Sequence, residues 1–337
     1  MKLLLAIHIR ACIVCLLATI LAMPMHLSAA SAKGLGTWVW SNSAFSTDEA
    51  RQQLVRFCVE HQIGHIDIYI KMSGNGDKPV LQHAEALRAL ILLAGRHGIT
   101  TAGLRGNPRM FFSENHMQAL QELRAIIAFY EMLPADNLFK GITYDVEPYL
   151  TEEWRAGEER RKTVMLDYLT FLSKARDLLK MKAPYLWLAA DTPFWWDKDA
   201  LVIEYEGETK RFSEHVQDLT DFVVIMSYRC TVRKVLDCVK NERRYAKEVN
   251  KLIFPSLETV RLKQDQYISF WGLPSRDLLG VVSQLLDVER ADPAMGGVMI
   301  HCYRGLIEKF GEDIQGEREE RYCPILQKNQ AIVGRRP

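Results

Sequence analysis

The stretch Gly141-Ile142-Thr143-Tyr144-Asp145-Val146-Glu147-Pro148-Tyr149 decides how this chain is read. Apolar and β-branched residues run into two carboxylates, Asp145 and Glu147, and Pro148 stops the run. Side chains on a strand alternate faces, so acids two residues apart are predicted to share one side and to enter one pocket together. A strand whose acids merely reach solvent at a loop has the same pattern. The rest of the chain has to decide between the two.

Outward from this stretch, strand-like and helix-like segments alternate. The strands are predicted at 36–40, 65–70, 99–104, 141–147, 185–190, 221–228, 252–258 and 297–303. Helical periodicity covers 47–61, 80–97, 114–133, 164–179, 213–220, 235–250 and 275–290. Thr47 caps the first helix, with Asp48 and Glu49 in its opening turn. Residues 202–212, centred on Glu206-Gly207, read as a small inserted hairpin. Eight strands alternating with helices give the count and size of a single-domain (β/α)8 TIM barrel, an α/β fold. An open doubly wound sheet is the alternative. It is disfavoured because no Gly-rich phosphate loop follows the first strand, and because polar or aromatic residues end nearly every strand.

The chain opens with Lys2 and Arg10, an apolar run over 11–23, and small residues ending at Ala32. This is the composition of a cleaved secretory signal over 1–32, and it predicts a secreted or periplasmic protein; an uncleaved anchor is the other reading. The barrel is expected over 33–310 and a charged, partly disordered tail over 311–337. Removing 1–32 leaves 41 of the 43 basic residues against 42 acidic ones. A balance of −1 offers no basic surface for nucleic acid or an anionic membrane, and no stable membrane insertion is expected after cleavage. Export makes disulfides possible, with Cys230 and Cys238, or Cys302 and Cys323, near enough in sequence to pair. Cys58 falls on the apolar side of a helix, as a buried free thiol would. No Cys/His spacing of zinc-site type occurs, so neither a metal nor a cofactor is expected.

In a barrel the active site lies where the strands end, so the residues leaving each strand can be gathered from sequence. They are Trp40, Tyr69, Arg105, Asp145, Glu147, Tyr149, Asp191, Trp195, Trp196, Tyr228, Arg229, Glu258, His301 and Tyr303. This set is acidic and aromatic at once. Flat rings suit the C–H faces of sugars, while carboxylates bind hydroxyls or act as acid and base, so the expected partner is a polysaccharide or oligosaccharide. Neither a nucleotide site for hydride transfer nor a basic cradle for phosphoryl transfer is visible. Trp38 reads as barrel filling, Asp67 as a buried polar partner, and His301 as either a core histidine or a ligand-binding one. Trp195 and Trp196 are adjacent, so at least one is expected to meet solvent or ligand. Arg105 and Arg229 are expected to pair with the site carboxylates and to keep Asp145 ionised.

Gly141-Ile142-Thr143-Tyr144-Asp145-Val146-Glu147 resembles the end of the fourth-strand motif D-G-x-D-x-D-x-E of the family 18 chitinases and their relatives. Met226-Ser227-Tyr228 is similar to that family's Met-x-Tyr, and Gly296-Gly297-Val298-Met299 resembles its approach to the eighth strand. The resemblance covers these three stretches and the strand order. It implies a barrel that cleaves an N-acetylated amino-sugar polymer with the substrate's help. Glu147 is then the general acid, Asp145 orients the N-acetyl group, and Tyr228 bonds its carbonyl. Lys140 and Thr143 stand where the motif has its first two aspartates, Arg229 where an acid or amide is usual, and His301 where a tryptophan is. Two other readings stay open. One is a retaining glycosidase that uses Glu147 with Glu258 or Asp191, since Glu147-Pro148 also resembles the Asn-Glu-Pro of a second large clan. The other is a barrel that binds glycan without cleaving it.

Overall fold

The structure, a computed structural model, describes residues 33–74, 78–262 and 268–311. The expected signal segment and tail lie outside the described residues, as does Cys323. Among the described residues twelve strands are formed: β1 (Gly34–Val39), β2 (Ile63–Tyr69), β3 (Met72–Ser73), β4 (Val80–Leu81), β5 (Thr100–Arg105), β6 (Phe139–Tyr144), β7 (Trp187–Pro193), β8 (Val202–Tyr205), β9 (Glu208–Arg211), β10 (Phe222–Met226), β11 (Leu252–Glu258) and β12 (Gly297–His301). Eight of them close into a parallel barrel in the order β1-β12-β11-β10-β7-β6-β5-β2, while β3-β4 and β8-β9 are separate two-stranded sheets. The (β/α)8 barrel expected from the alternating pattern is the observed fold.

The helices are α1 (Asp48–Glu60), α2 (Ala84–Arg96), α3 (His116–Glu131), α4 (Glu152–Arg155), α5 (Glu158–Lys182), α6 (Phe212–Leu219), α7 (Val232–Cys238), α8 (Lys240–Glu248), α9 (Ser275–Ala291) and α10 (Tyr303–Phe310). Thr47 caps α1 as expected, its hydroxyl accepting from the Ala50 N–H at 3.2 Å. The β8-β9 hairpin also forms where it was expected. Its turn places Glu206 and Gly207 at φ 50° and 82°, the left-handed pair that matches the twist of a two-residue hairpin.

Three of the helical segments differ from the sequence reading. Residues 80–81 are a strand paired with β3, and α2 waits for Ala84 because His83 is left-handed. Helix α5 starts at Glu158 rather than at 164. Its first turn is polar, and it is supported by Glu158 and Glu159 at the helix N-terminus and by ion pairs from both to Lys162. Dipole and i,i+4 terms stabilise such a turn without any apolar periodicity to announce it. The helix expected over 235–250 is two helices, α7 and α8, divided at Val239, which caps both.

Two apolar clusters fill the molecule, one on each face of the strands. The larger lies between strands and helices. The smaller is the barrel lumen, packed by Trp38, Ala102, Leu104, Trp187, Ala189, Phe222, Val224, Phe254 and Met299. Trp187, Phe222 and Phe254 meet edge to face or tilted at 5.4 and 4.9 Å, giving the lumen an aromatic floor. Gly141 makes room for it: a Cβ there would lie 2.0 Å from the Trp187 ring. The strand period of two then carries each inward column upward from this floor, and the columns end in polar groups.

Candidate active site

Beside each lumen residue stands another two positions on, and these upper residues are the candidates. On β2 the column is His65, Asp67, Tyr69; on β7 it is Trp187, Ala189, Asp191; on β11 it is Phe254, Ser256, Glu258; on β12 it is Met299, His301. Strand β6 ends at Tyr144, so the two carboxylates lie just beyond it rather than on it. The Asp145 N–H still bonds the Arg105 carbonyl at 2.8 Å, which extends the ladder and keeps Asp145 in the inward column of Thr143. Asp145 is 8% exposed and Glu147 4%.

Across the lumen, Trp38 on β1 donates its Nε1–H to Asp191 Oδ2 at 3.0 Å, joining strands on opposite sides of the barrel. The other Asp191 oxygen is buried without a partner, as is one oxygen of Asp67. Asp67 accepts or shares a proton with His65 Nε2 at 2.9 Å, the polar partnership expected of it. Burial raises the Asp145 carboxyl well above the usual carboxylate range, and the neighbouring Glu147 raises it further. Asp191 is raised by burial, then by Asp145 and Asp67, with the Trp38 bond opposing. Each buried charge makes the next one harder to form.

Glu258 and His301 are register partners on β11 and β12. His301 Nδ1 lies 3.1 and 3.0 Å from the two Glu258 oxygens, and its Nε2 accepts from Trp40 Nε1–H at 2.9 Å. An indole can only donate, so the Trp40 bond leaves the single imidazole proton on Nδ1, facing Glu258. Glu258 Oε1 also accepts from the Val260 N–H at 2.7 Å. Both oxygens of Glu258 are therefore engaged.

Tyr228 stands over this floor, its ring 6.2 Å from His301. Burial raises its phenol well above 10.0, with Glu258, Asp145, Asp191 and Glu147 each adding to the shift. One hydroxyl thus feels four carboxylates from three strand ends, those of β6, β7 and β11. Tyr149 donates its hydroxyl to Glu147 and packs edge to face on Trp195 at 5.2 Å. Trp40 and Tyr69, 5.9 Å apart, complete an aromatic rim.

Four sequence expectations are corrected. Arg105 has the outward parity of β5, where Ala102 and Leu104 take the lumen. It binds Glu122 of α3 and the Ile70 carbonyl instead of a site acid. Arg229 bonds the Tyr228 carbonyl at 2.7 Å and lies over the Phe194 ring at 4.9 Å. No ion pair joins either arginine to Asp145, and that carboxyl is pushed toward its neutral form rather than held ionised. Trp196 is fully buried in the helical layer against Phe212 and Tyr168, at 4.6 and 5.6 Å; of the tryptophan pair, Trp195 is the one left at the mouth. Tyr303 opens α10 instead of ending β12, and it packs on Phe57 at 5.4 Å.

No disulfide joins Cys230 to Cys238, so the pairing considered for them does not form. Cys58 is buried as expected, and burial pushes its thiol up to about 12. Two features went unread in the sequence: the bond from Trp38 to Asp191, and Phe194 as the seat of Arg229. Only the run Pro193-Phe194-Trp195-Trp196, dense in rings where a strand ends, hinted at the second.

No family model matches this sequence, and no curated protein matches it. Solved structures do. A chitinase from Bacteroides thetaiotaomicron superposes with a TM-score of 0.52 at 14% identity, over 82% of this chain and 91% of that one. A GH113 beta-1,4-mannanase superposes at 0.50 and 11% identity, over 81% and 88%. A beta-glucosidase from Thermotoga maritima does so at 0.54 and 8% identity, over 80% and 88%. At these identities the likeness is one of fold. The chain is a single-domain TIM barrel whose structural neighbours include a chitinase and other glycoside hydrolases.

Proposed function

We propose that this protein is an exported glycoside hydrolase acting on a polysaccharide built from N-acetylated amino sugars. The observation that carries the reading is the group of buried acids Asp145, Glu147, Asp191 and Glu258 at adjoining strand ends, near enough to raise the Tyr228 phenol, beside the rings of Trp40, Tyr69 and Tyr149. In this reading Glu147 protonates the leaving oxygen, and Tyr149, which holds the Glu147 carboxyl, sets its direction. Asp145, made less acidic by burial, orients the N-acetyl nitrogen. Tyr228 bonds the carbonyl whose oxygen attacks the anomeric carbon. Asp191 takes up part of the role that Thr143 lacks: it comes from the neighbouring strand, and Asp145 raises it directly.

The two-carboxylate alternative draws less support. Both oxygens of Glu258 are committed to His301 and Val260, which counts against it as the nucleophile; Asp191, whose Oδ1 has no partner, is the candidate that this alternative keeps. The composition of 1–32 supports export, and the N-terminal residue of the secreted protein tests it. Turnover of N-acetylated oligomers tests the chemistry. Glu147→Gln is expected to abolish turnover while binding persists. Binding without turnover in the wild type would leave a glycan-binding barrel.

A further inference from the structure

Beside the mouth lies a cleft of ≈ 450 Å³ lined by Phe194, Trp195, Asp197, Lys198, Arg229, Lys234, Asp237 and Cys238. It joins the catalytic residues at two points. Arg229 directly follows Tyr228, and Trp195 packs on Tyr149, the residue that bonds Glu147. A sugar bound next to the scissile bond would therefore extend into it, with Trp195 as a half-buried apolar wall.

The charges of this cleft are unevenly matched. Asp197 accepts from the neutral Asn241 amide at 2.6 Å and Asp237 lies 4.0 Å from Arg233 with both side chains exposed, so the two acids keep their charge and the cleft holds one more cation than acids. The three cations have no carboxylate partner among the described residues. Lys198 and Lys234 are exposed. Arg229 is half-buried on the Phe194 ring, with one of its five donors spent on its own chain's Tyr228 carbonyl. A guanidinium seated on a ring, its fork still open, is preorganised for a planar oxyanion.

We propose that this cleft is a subsite for a sugar carrying an anionic substituent, a carboxylate or a sulfate, with Arg229 as the specificity-determining residue and Lys198 and Lys234 as supporting charge. The inference rests on the mouth being a sugar-processing site and adds the substrate class: an amino-sugar polymer that is acidic.

The test uses three oligosaccharides of equal length: a neutral N-acetylated oligomer, one alternating with uronic acid, and one bearing sulfate. The wild type is expected to favour one of the charged oligomers over the neutral one in kcat/KM by about 10-fold or more. That preference should shrink as ionic strength rises. Arg229→Gln is expected to cut the ratio about 10-fold, and Arg229→Lys to restore part of it. The double variant Lys198→Gln/Lys234→Gln, which touches only exposed side chains, should cut the ratio by about 3-fold. Whichever charged oligomer is preferred identifies the anion.

Equal kcat/KM for all three oligomers in the wild type overturns this inference and leaves the hydrolase reading standing. If no oligomer is turned over, calorimetric affinities read the same ratios. Arg229-dependent binding without turnover then overturns the hydrolase reading and leaves the subsite standing.

Discussion

The two ends of this barrel handle charge in opposite ways. At the end where the strands begin, charged groups come with partners. Lys251, just before β11, donates to the carbonyls of Gln217, Asp218 and Thr220 at 2.6, 2.8 and 2.7 Å, closing the C-terminus of α6. Asp221 accepts from the Leu188 N–H at 2.7 Å, and Lys140 bonds the Asn137 carbonyl at 2.8 Å. At the end where the strands stop, Asp67 and Asp191 each keep an oxygen with no donor, and Asp145 and Asp191 are held far above the usual carboxylate range. Lys251, Asp221 and Lys140 are half-buried, while Asp67, Asp145 and Asp191 are buried, so the mouth acids bear the greater loss of solvation as well as the fewer donors. A charge that closes a helix is satisfied within the fold; a cluster of unmatched acids costs stability, and it is kept where an incoming ligand completes it.

The largest expected effect tests the functional end. Glu147→Gln should lower turnover by about 10³-fold, within the range of a general acid, without lowering the melting temperature. A loss below 10-fold would remove Glu147 from the role of general acid. At the opposite end, Lys251→Met should cost about 3 kcal/mol of unfolding free energy, since three carbonyls lose their donor, while turnover is retained. Denaturant titration and steady-state kinetics on one preparation check both halves.

Asp191→Asn sharpens the contrast through pH. Its carboxyl is raised in the fold, so the folded chain loses stability as pH climbs from the ordinary carboxylate range toward the raised value. Removing the acid should therefore add about 2 kcal/mol near pH 7 and nothing near pH 3, because the amide oxygen still accepts from Trp38. Glu242 in α8, outside the barrel lumen and near Asp197 of the cleft, poses the same question. Both its oxygens are buried without a partner, and burial raises it from 4.5 to about 8. Glu242→Gln should stabilise by about 1 kcal/mol at pH 8 and not at pH 4. An equal gain at both pH values would trace the effect to packing rather than to the proton.

Much of the barrel could be read along the chain. Alternation in the strands separates inward from outward columns, and Pro148 after two acids marks the end of a strand at the mouth. The seventh strand was expected over 252–258 and is found there, its apolar run ending in Glu258, which is buried at the polar mouth against His301. The misread elements are those whose stabilisation is not apolar: the first turn of α5 and the left-handed His83 before α2. Within the site, Asp145, Glu147 and Tyr228 were legible as strand-end residues of the right chemistry. Arg105, Trp196 and Tyr303 had the right chemistry and the wrong direction.

Local sequence thus determined the barrel, its polar mouth and the acids that occupy it, because strand periodicity is a property of a few successive residues. Tertiary structure alone decided which of those groups meet. Trp38 reaches Asp191 over 153 residues and Trp40 reaches His301 over 261, and that second bond sets the imidazole proton toward Glu258. Such pairings depend on barrel closure and register, which bring side chains together from strands that share no local pattern.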